Sequence, residues 1–339
     1  VLPIGPWRFR FRRRAALAHL AVLAAIVLLA LVALTLGDYG LDLGQVVQAL
    51  TGRSADPLAV YFVQDVRAPR VLGALLVGAA LGTSGALFQT LTGNELGSPD
   101  VIGFSTGAAS GALLQIIVVG GGPLAVAGGA VTGGLLSAGV VYALAWRRGV
   151  AGSRLVLVGI GISATLAAVN QLLVVRASLT AAQTAAQWLA GSLNAVLWPQ
   201  VGLLAAALVV LLPASWLLAR PLGMLPLGDP LAVGVGVRVE RTRLLAIVVG
   251  VALVAVATAT AGPVAFVALA APHVARRLAG TPGVPTVGAG LTGALLVLAA
   301  DVVAQRVLAP NQLAVGVVTG ALGGIYLIVL LASRWRRSR

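Results

Sequence analysis

Ten apolar stretches follow one another along the chain, over 15–37, 71–91, 101–119, 123–146, 155–175, 198–219, 244–262, 263–279, 285–308 and 314–332. A helix of about 20 apolar residues crosses the ~30 Å hydrocarbon layer, so the pattern predicts ten membrane spans. The first follows Arg8, Arg10, Arg12, Arg13 and Arg14. That flank resembles a signal peptide, but the apolar run exceeds the ~7–15 residues of a signal core and lacks a convincing small-x-small cleavage site, so it reads as a retained span. The eighth is short, starts at a Gly262-Pro263 break and carries Pro272. It reads as a broken or partly re-entrant helix, which is tolerable where protein rather than lipid surrounds it.

Composition removes whole classes of function. Of 339 residues, 59% are hydrophobic and 9% charged, against about 25% charged in soluble domains. All 23 basic residues are arginine and none is lysine. A P-loop and Schiff-base chemistry both require lysine, so the chain does not bind and split ATP by itself. There is no cysteine, and therefore no disulfide, thiol nucleophile or zinc-thiolate site. The net charge of +14 is orientation chemistry. With the N-terminus inside and ten spans alternating, 18 arginines fall inside and five outside: Arg53, Arg67, Arg70, Arg176 and Arg306. That positive-inside bias places both termini in the cytoplasm and argues against nucleic acid.

Glycine is abundant within the spans. Gly78-x-x-x-Gly82 and Gly129-x-x-x-Gly133 are patterns that let helix backbones approach closely. Three connections are long. The outer one at 38–70 holds Asp38, Asp42, Asp56 and Asp65, and a second outer one at 176–197 holds Trp188. The inner one at 220–243 contains a short helical signal from Asp229 to Gly236, with Asp229 as N-cap, Pro230 in the first position and Gly236 as terminator. Arg238, Arg241 and Arg243 follow. Such an element is either a docking site for a soluble partner or a plain surface connector.

Few groups invite chemistry. Gly103-Phe104-Ser105-Thr106-Gly107 matches a nucleophile elbow, but at the start of a membrane helix rather than between a strand and a helix. Gly82-Thr83-Ser84-Gly85 resembles an intramembrane protease motif, with His273 as a conceivable base. A dyad needs contact between the two, which nothing in the sequence supplies. With two histidines and no cysteine, no metal site is indicated. Asp301 is the one carboxylate inside a predicted span. It requires a partner or a wet path, and Gln305 and Arg306 lie within two turns. The reading as a structural or gate contact competes with one as a proton relay.

Two stretches are more specific. The first runs from Arg67-Ala68-Pro69-Arg70 through Gly85-Ala86-Leu87-Phe88-Gln89 to Asn94-Glu95-Leu96 and Ser98-Pro99-Asp100. The second runs from Ala261-Gly262-Pro263 through Ala271-Pro272-His273 and Ala300-Asp301 to Val315-Gly316-Val317-Val318-Thr319-Gly320. Together they closely resemble the permease subunits of type II ABC importers, the iron-siderophore, haem and vitamin B12 family. The segment 323–328 is more similar to the ferric-siderophore branch. The resemblance implies an all-α integral membrane fold of about ten helices: a basic N-terminal segment at 1–14, one membrane domain at 15–333 with a coupling loop at 220–243, and a basic tail at 334–339. It also implies a second permease subunit, two cytoplasmic ABC ATPases that bind ATP and Mg, and an extracytoplasmic substrate-binding protein. No cofactor is expected in this chain, and the location implied is the cytoplasmic membrane of a bacterium.

By the same resemblance, Arg67, Arg70 and Arg306 are expected to dock the binding protein. Asn94 and Leu96, with Gly149 and Ser153, are expected to form the cytoplasmic gate. Asp229, Leu231, Ala232, Gly236, Arg238 and Arg241 are expected to couple to the ATPase, and Gln89, His273 and Asp301 are intramembrane polar positions. The chain departs from the family where Glu95 replaces a proline, Gln305 an arginine, and Gln312-Leu313-Ala314 the usual Glu-Leu-Pro. These changes suggest a divergent or heterodimeric subunit. Haem or vitamin B12 as cargo, and proton-coupled transport through Asp301, remain the alternatives.

Overall fold

A computed structural model describes residues 2–4, 7–9, 13–37, 39–146, 152–280, 283–309 and 311–337, with side chains between 13 and 328 within those ranges. After a two-stranded antiparallel pair, β1 (Leu2–Ile4) and β2 (Trp7–Phe9), the other elements among the described residues are helical. The helices are α1 (Arg13–Thr35), α2 (Leu43–Leu50), α3 (Pro57–Tyr61), α4 (Ala68–Thr92), α5 (Phe104–Leu113), α6 (Pro123–Ala145) and α7 (Gly152–Arg176). There follow α8 (Leu179–Leu189), α9 (Trp198–Leu222), α10 (Asp229–Gly234), α11 (Val239–Ala261), α12 (Val267–Ala279), α13 (Thr286–Arg306) and α14 (Val315–Arg337).

Ten of these match the ten apolar runs: α1, α4, α5, α6, α7, α9, α11, α12, α13 and α14. Among the described residues, seven helices are long and apolar enough to cross a membrane. Two shorter apolar helices, Phe104–Val119 and Val315–Ile328, correspond to α5 with its extension and to the described part of α14. The remaining element is α12, which has 13 residues, as its proline and Gly-Pro break foretold.

The bundle is organised around α4. Eighteen of its residues are buried, because α4 packs on α13, α11, α12 and α9. Glycine makes the closest of these contacts possible. A Cβ on Gly78 would stand 2.2 Å from the Gly293 carbonyl oxygen, and one on Gly82 would stand 2.1 Å from that of Ala289. No real side chain fits there, so the α4–α13 seam is backbone on backbone. Gly129 and Gly133 serve α6 in the same way, against Gly111 and Gly107 of α5. Both small-x-x-x-small patterns are therefore packing devices.

Two helices start inside the bundle rather than at its surface. The connection after α4 turns back inward, so that a Cβ on Gly159 of α7 would meet the Ile102 backbone, and one on Gly103 would meet Ser163. Gly103 (φ 93) then opens α5. Likewise, residues 263–266 are non-helical and Phe266 opens α12 at φ 67, an uncommon conformation for a residue with a bulky side chain. Its ring occupies the space where Gly323 of α14 lacks a side chain.

The outer segment at 38–70 is not a loop, contrary to expectation. It folds into α2, α3 and a π-helical turn at Phe62–Arg67 that runs straight into α4. Asp42 forms a capping box with Gln45 on α2, and Asp56 caps α3. The Tyr39 hydroxyl also donates to Asp56 Oδ2 at 2.6 Å. That bond holds the Asp56 carboxyl below its ordinary range and raises the Tyr39 phenol. Asp38 lies outside the described residues.

Gly82→Val is expected to destabilise the fold by about 1–3 kcal/mol or more through overpacking. Gly139→Ala, at a position with nothing within 4 Å, should leave it unchanged. Thermal denaturation in detergent measures both, and equal melting points would contradict the seam.

Candidate functional site

The residues singled out in the sequence fall into three places. At the end of the bundle where α4 begins, Arg70 and Asp301 form an ion pair between α4 and α13. Arg70 Nη2 lies 2.9 Å from Asp301 Oδ1, and Arg70 Nε lies 3.0 Å from Oδ2. Gln305 Nε2 donates to Oδ2 at 2.8 Å, and Arg70 Nη1 donates to Gln312 Oε1 at 2.9 Å. The Asp301 side chain is 1% exposed and that of Arg70 11%. Burial of a carboxylate inside a membrane protein is costly without such a partner. Gln305 was expected as a partner, but Arg306 was not borne out in that role: it is exposed, and Arg70 takes its place. A pairing 231 residues apart leaves no mark in local spacing.

Arg67 is also committed within the chain. Its Nη1 donates to the carbonyls of Leu34 (2.8 Å) and Thr35 (3.3 Å), and its Nη2 to that of Tyr39. It thus satisfies the free carbonyls at the end of α1. Of the three arginines expected to face a partner, Arg67 is buried, Arg70 is half-buried and Arg306 is exposed.

At the other end of the bundle, Asn94 Oδ1 accepts from the Leu96 backbone N–H at 2.9 Å, closing a tight turn after Gly93 (φ 63). Both side chains are exposed. Gly152 packs against the backbone of Leu91 and Thr92, so the start of α7, with exposed Ser153, adjoins this turn. Gly149 lies outside the described residues.

The third place is α10. Its N-cap is Gly228 (φ 91), with Asp229 inside the first turn, so Asp229 is not the cap that the sequence suggested. Its carboxylate instead receives Arg243 Nη2 at 2.8 Å, while Arg243 Nη1 also reaches Glu240 at 3.1 Å. The pair fastens α10 to the first turn of α11. Gly236 (φ 87) follows the helix, as expected of a terminator. Ala232 is buried, while Leu231 (63%), Val233 (61%) and Val235 (64%) are exposed. Arg238 and Arg241 are exposed beside them. A short, fastened helix that leaves its aliphatic side chains in the open is built for contact.

The remaining polar positions hold helices together. Gln89 Nε2 donates to the Leu269 carbonyl at 2.9 Å, and Gln89 Oε1 accepts from Arg276. Together they tie α4 to α12. His273 Nδ1 is 3.9 Å from Glu95 Oε2, and its ring meets Tyr326 edge-on. Ser84 Oγ donates to the Gly250 carbonyl at 2.8 Å, so its hydroxyl serves packing rather than a dyad with His273. Ser105 Oγ donates to Asp100. Among the described residues, no group of three or more potential metal ligands forms.

A polytopic helical bundle with glycine seams, two half-length helices opening inside it and an exposed contact helix at one end is the architecture of a transport permease. The chain belongs to the FecCD transport family, whose model matches residues 24–333. It is 47% identical to the ferric enterobactin transport system permease protein FepG of Escherichia coli, over 96% of this chain and 98% of that one. It is 38% identical to the achromobactin transport system permease protein CbrC of Dickeya dadantii, over 94% and 90%. Its identity to the vitamin B12 import system permease protein BtuC of Shigella boydii is 33%, over 96% and 98%. Among solved structures, an inward-facing ABC transporter assigned to the metal-chelate type superposes with a TM-score of 0.84 at 25% identity, covering 94% of this chain and 99% of that one. The family expected from the sequence is therefore the right one.

Removing one member of the buried pair, in Arg70→Met or Asp301→Leu, should cost about 3–5 kcal/mol, because the other charge is left unpaired. The double variant should recover most of that loss. Arg306→Gln should be neutral. Thermal denaturation of the four variants tests this, and strictly additive losses would rule out the coupling.

Proposed function

We propose that this chain is the membrane-spanning permease subunit of an ATP-driven importer that moves a ferric siderophore across the bacterial cytoplasmic membrane. The observation that carries the reading is the 47% identity to a ferric enterobactin permease over nearly the whole of both chains. The vitamin B12 permease stands lower, at 33%, which favours a siderophore over B12 as cargo. An importer of this kind requires an ATPase and a substrate-binding protein. We assign two ATPase subunits, a second permease and one extracytoplasmic binding protein.

The orientation follows from the arginines, with both termini and α10 in the cytoplasm. There, Leu231, Val233 and Val235 offer aliphatic contact, and Arg238 and Arg241 flank them with positive charge. We assign this surface to the ATPase. ATP and Mg bind on that partner, and the chain itself performs no covalent step. ATP binding shifts the permease between outward-open and inward-open states through contacts that differ between the two. Asn94, Leu96 and Ser153, with Gly149, are assigned to the inner gate, since the turn at 93–96 and the start of α7 adjoin. At the outer end, exposed Arg306 is the arginine best placed to meet an acidic partner. Arg70 could do so only by leaving Asp301, and Arg67 only by uncapping α1.

Affinity capture of the tagged chain from native membranes in mild detergent should recover an ATPase carrying a G-x-x-x-x-G-K-[ST] loop. Reversing both charges, Arg238→Glu with Arg241→Glu, should lower that recovery about tenfold, equivalent to ~1.4 kcal/mol. Uptake of ferric enterobactin in cells lacking their own permease tests the cargo. Vitamin B12 uptake without ferric siderophore uptake would overturn the siderophore assignment. ATPase-independent uptake abolished by Asp301→Asn would replace the importer reading with secondary transport.

A further inference from the structure

Arg14 sits in the first turn of α1 yet acts on α12. Its Nε donates to the Leu278 carbonyl at 3.2 Å and its Nη2 to the Arg277 carbonyl at 3.1 Å. These carbonyls belong to the last turn of α12, which ends at Gly280 (φ 59) and has no further helical donors for them. A guanidinium is thus held at the negative end of a helix.

Beside it opens a cavity of about 460 Å³ lined by Arg14, His273, Val274, Arg277, Leu278 and Tyr326. His273 and Arg277 are four residues apart on α12, so they share a face. The lining brings together two guanidinium groups, an imidazole and a phenol, with no carboxylate among them. The acid facing His273 is Glu95, from the turn after α4, with its side chain 46% exposed. It does not line the cavity. Arg14 is fixed by its carbonyl contacts, whereas the Arg277 side chain is exposed. The two guanidinium groups can therefore converge on an anion beside the imidazole edge.

The surroundings identify the kind of anion. One turn beyond Arg14, α1 presents Leu17 (65% exposed), and Leu20 (63%) follows a turn further on, while Leu278 (44%) lies at the cavity itself. A basic pocket at a helix end thus continues into a bare aliphatic surface along the same helix. Phosphate alone would use only the first part, whereas a lipid uses both: its phosphate meets the arginines and its acyl chains meet the leucines. We propose that this cavity binds the phosphate group of an anionic phospholipid in the cytoplasmic leaflet, bridging α1, α12 and α14. The proposal rests on the orientation given above, which puts the N-terminus, and with it the first turn of α1, in the cytoplasm.

The test uses the full-length chain in nanodiscs of phosphatidylcholine with phosphatidylglycerol, followed by native mass spectrometry after detergent extraction. The wild type should retain phosphatidylglycerol in preference to phosphatidylcholine. His273→Gln with Arg277→Gln should reduce that retention about tenfold. Arg14 is left intact in that variant because it also caps α12. Arg220→Gln, a basic position outside the cavity, should retain lipid like the wild type. Equal retention in the double variant would overturn the site. Binding of inorganic phosphate by the wild type, seen by phosphorus NMR, without retained phosphatidylglycerol would overturn the lipid assignment in favour of a free anion. The orientation is checked separately, because the chain has no cysteine of its own: Arg241→Cys should react with a membrane-impermeant thiol reagent only from the cytoplasmic side. Labelling from outside would sink the orientation without touching the lipid-retention result.

Discussion

The backbone contact between α4 and α13 is the constraint on which the rest of the molecule depends. In a membrane, apolar side chains gain little by leaving lipid for one another, so helices associate through close packing and specific polar contacts. Gly78, Gly82 and Gly293 remove the side chains that would hold the two helices apart. Once they are in contact, α4 is enclosed on its other sides by α9, α11 and α12. Its buried and half-buried polar groups then find protein partners: Ser84 on α11, Gln89 on α12, and Thr83 and Arg70 on α13. In the reverse order, these groups would be exposed to hydrocarbon before any partner arrived.

The polar contacts divide the bundle into ends with different tasks. At the end where α4 begins, Arg67 and Arg70 are spent on α1 and α13, which makes that end a braced platform. At the opposite end, Asn94, Leu96 and Ser153 are exposed, and α10 stands clear with its aliphatic side chains outward. Arg243 joins α10 to α11. From there, α11 packs directly on α4. The exposed helix and the central helix are thus joined by contiguous packing.

Most of the architecture was legible in the chain, because a membrane demands long apolar helices and orders arginine between its two faces. The ten runs, the short eighth helix, the two glycine patterns and the family all survive in the structure. Local capping was legible only in part. Gly236 ends α10 as read, but Asp229 was taken for its N-cap, since an aspartate before a proline is a good one. In the folded chain, Arg243 claims that carboxylate and Gly228 supplies the turn. The stretch at 38–70 reads from the sequence only as a long connection. Two of its carboxylates, Asp42 and Asp56, cap α2 and α3.

What the sequence determined by itself was therefore what depends on composition and short spacing: the helices, the apolar spans and the lack of a P-loop lysine. Tertiary structure alone decided which partner each isolated polar group received. Asp301 needed a cation, and spacing offered Arg306, yet a residue 231 positions away supplies it. Arg14 reads from the sequence as part of a basic flank and Arg67 as a docking residue, yet each caps a helix of which it is not part. The physical reason is that a buried charge is satisfied by whatever lies within about 3 Å of it. That proximity is set by how helices pack, not by their order along the chain.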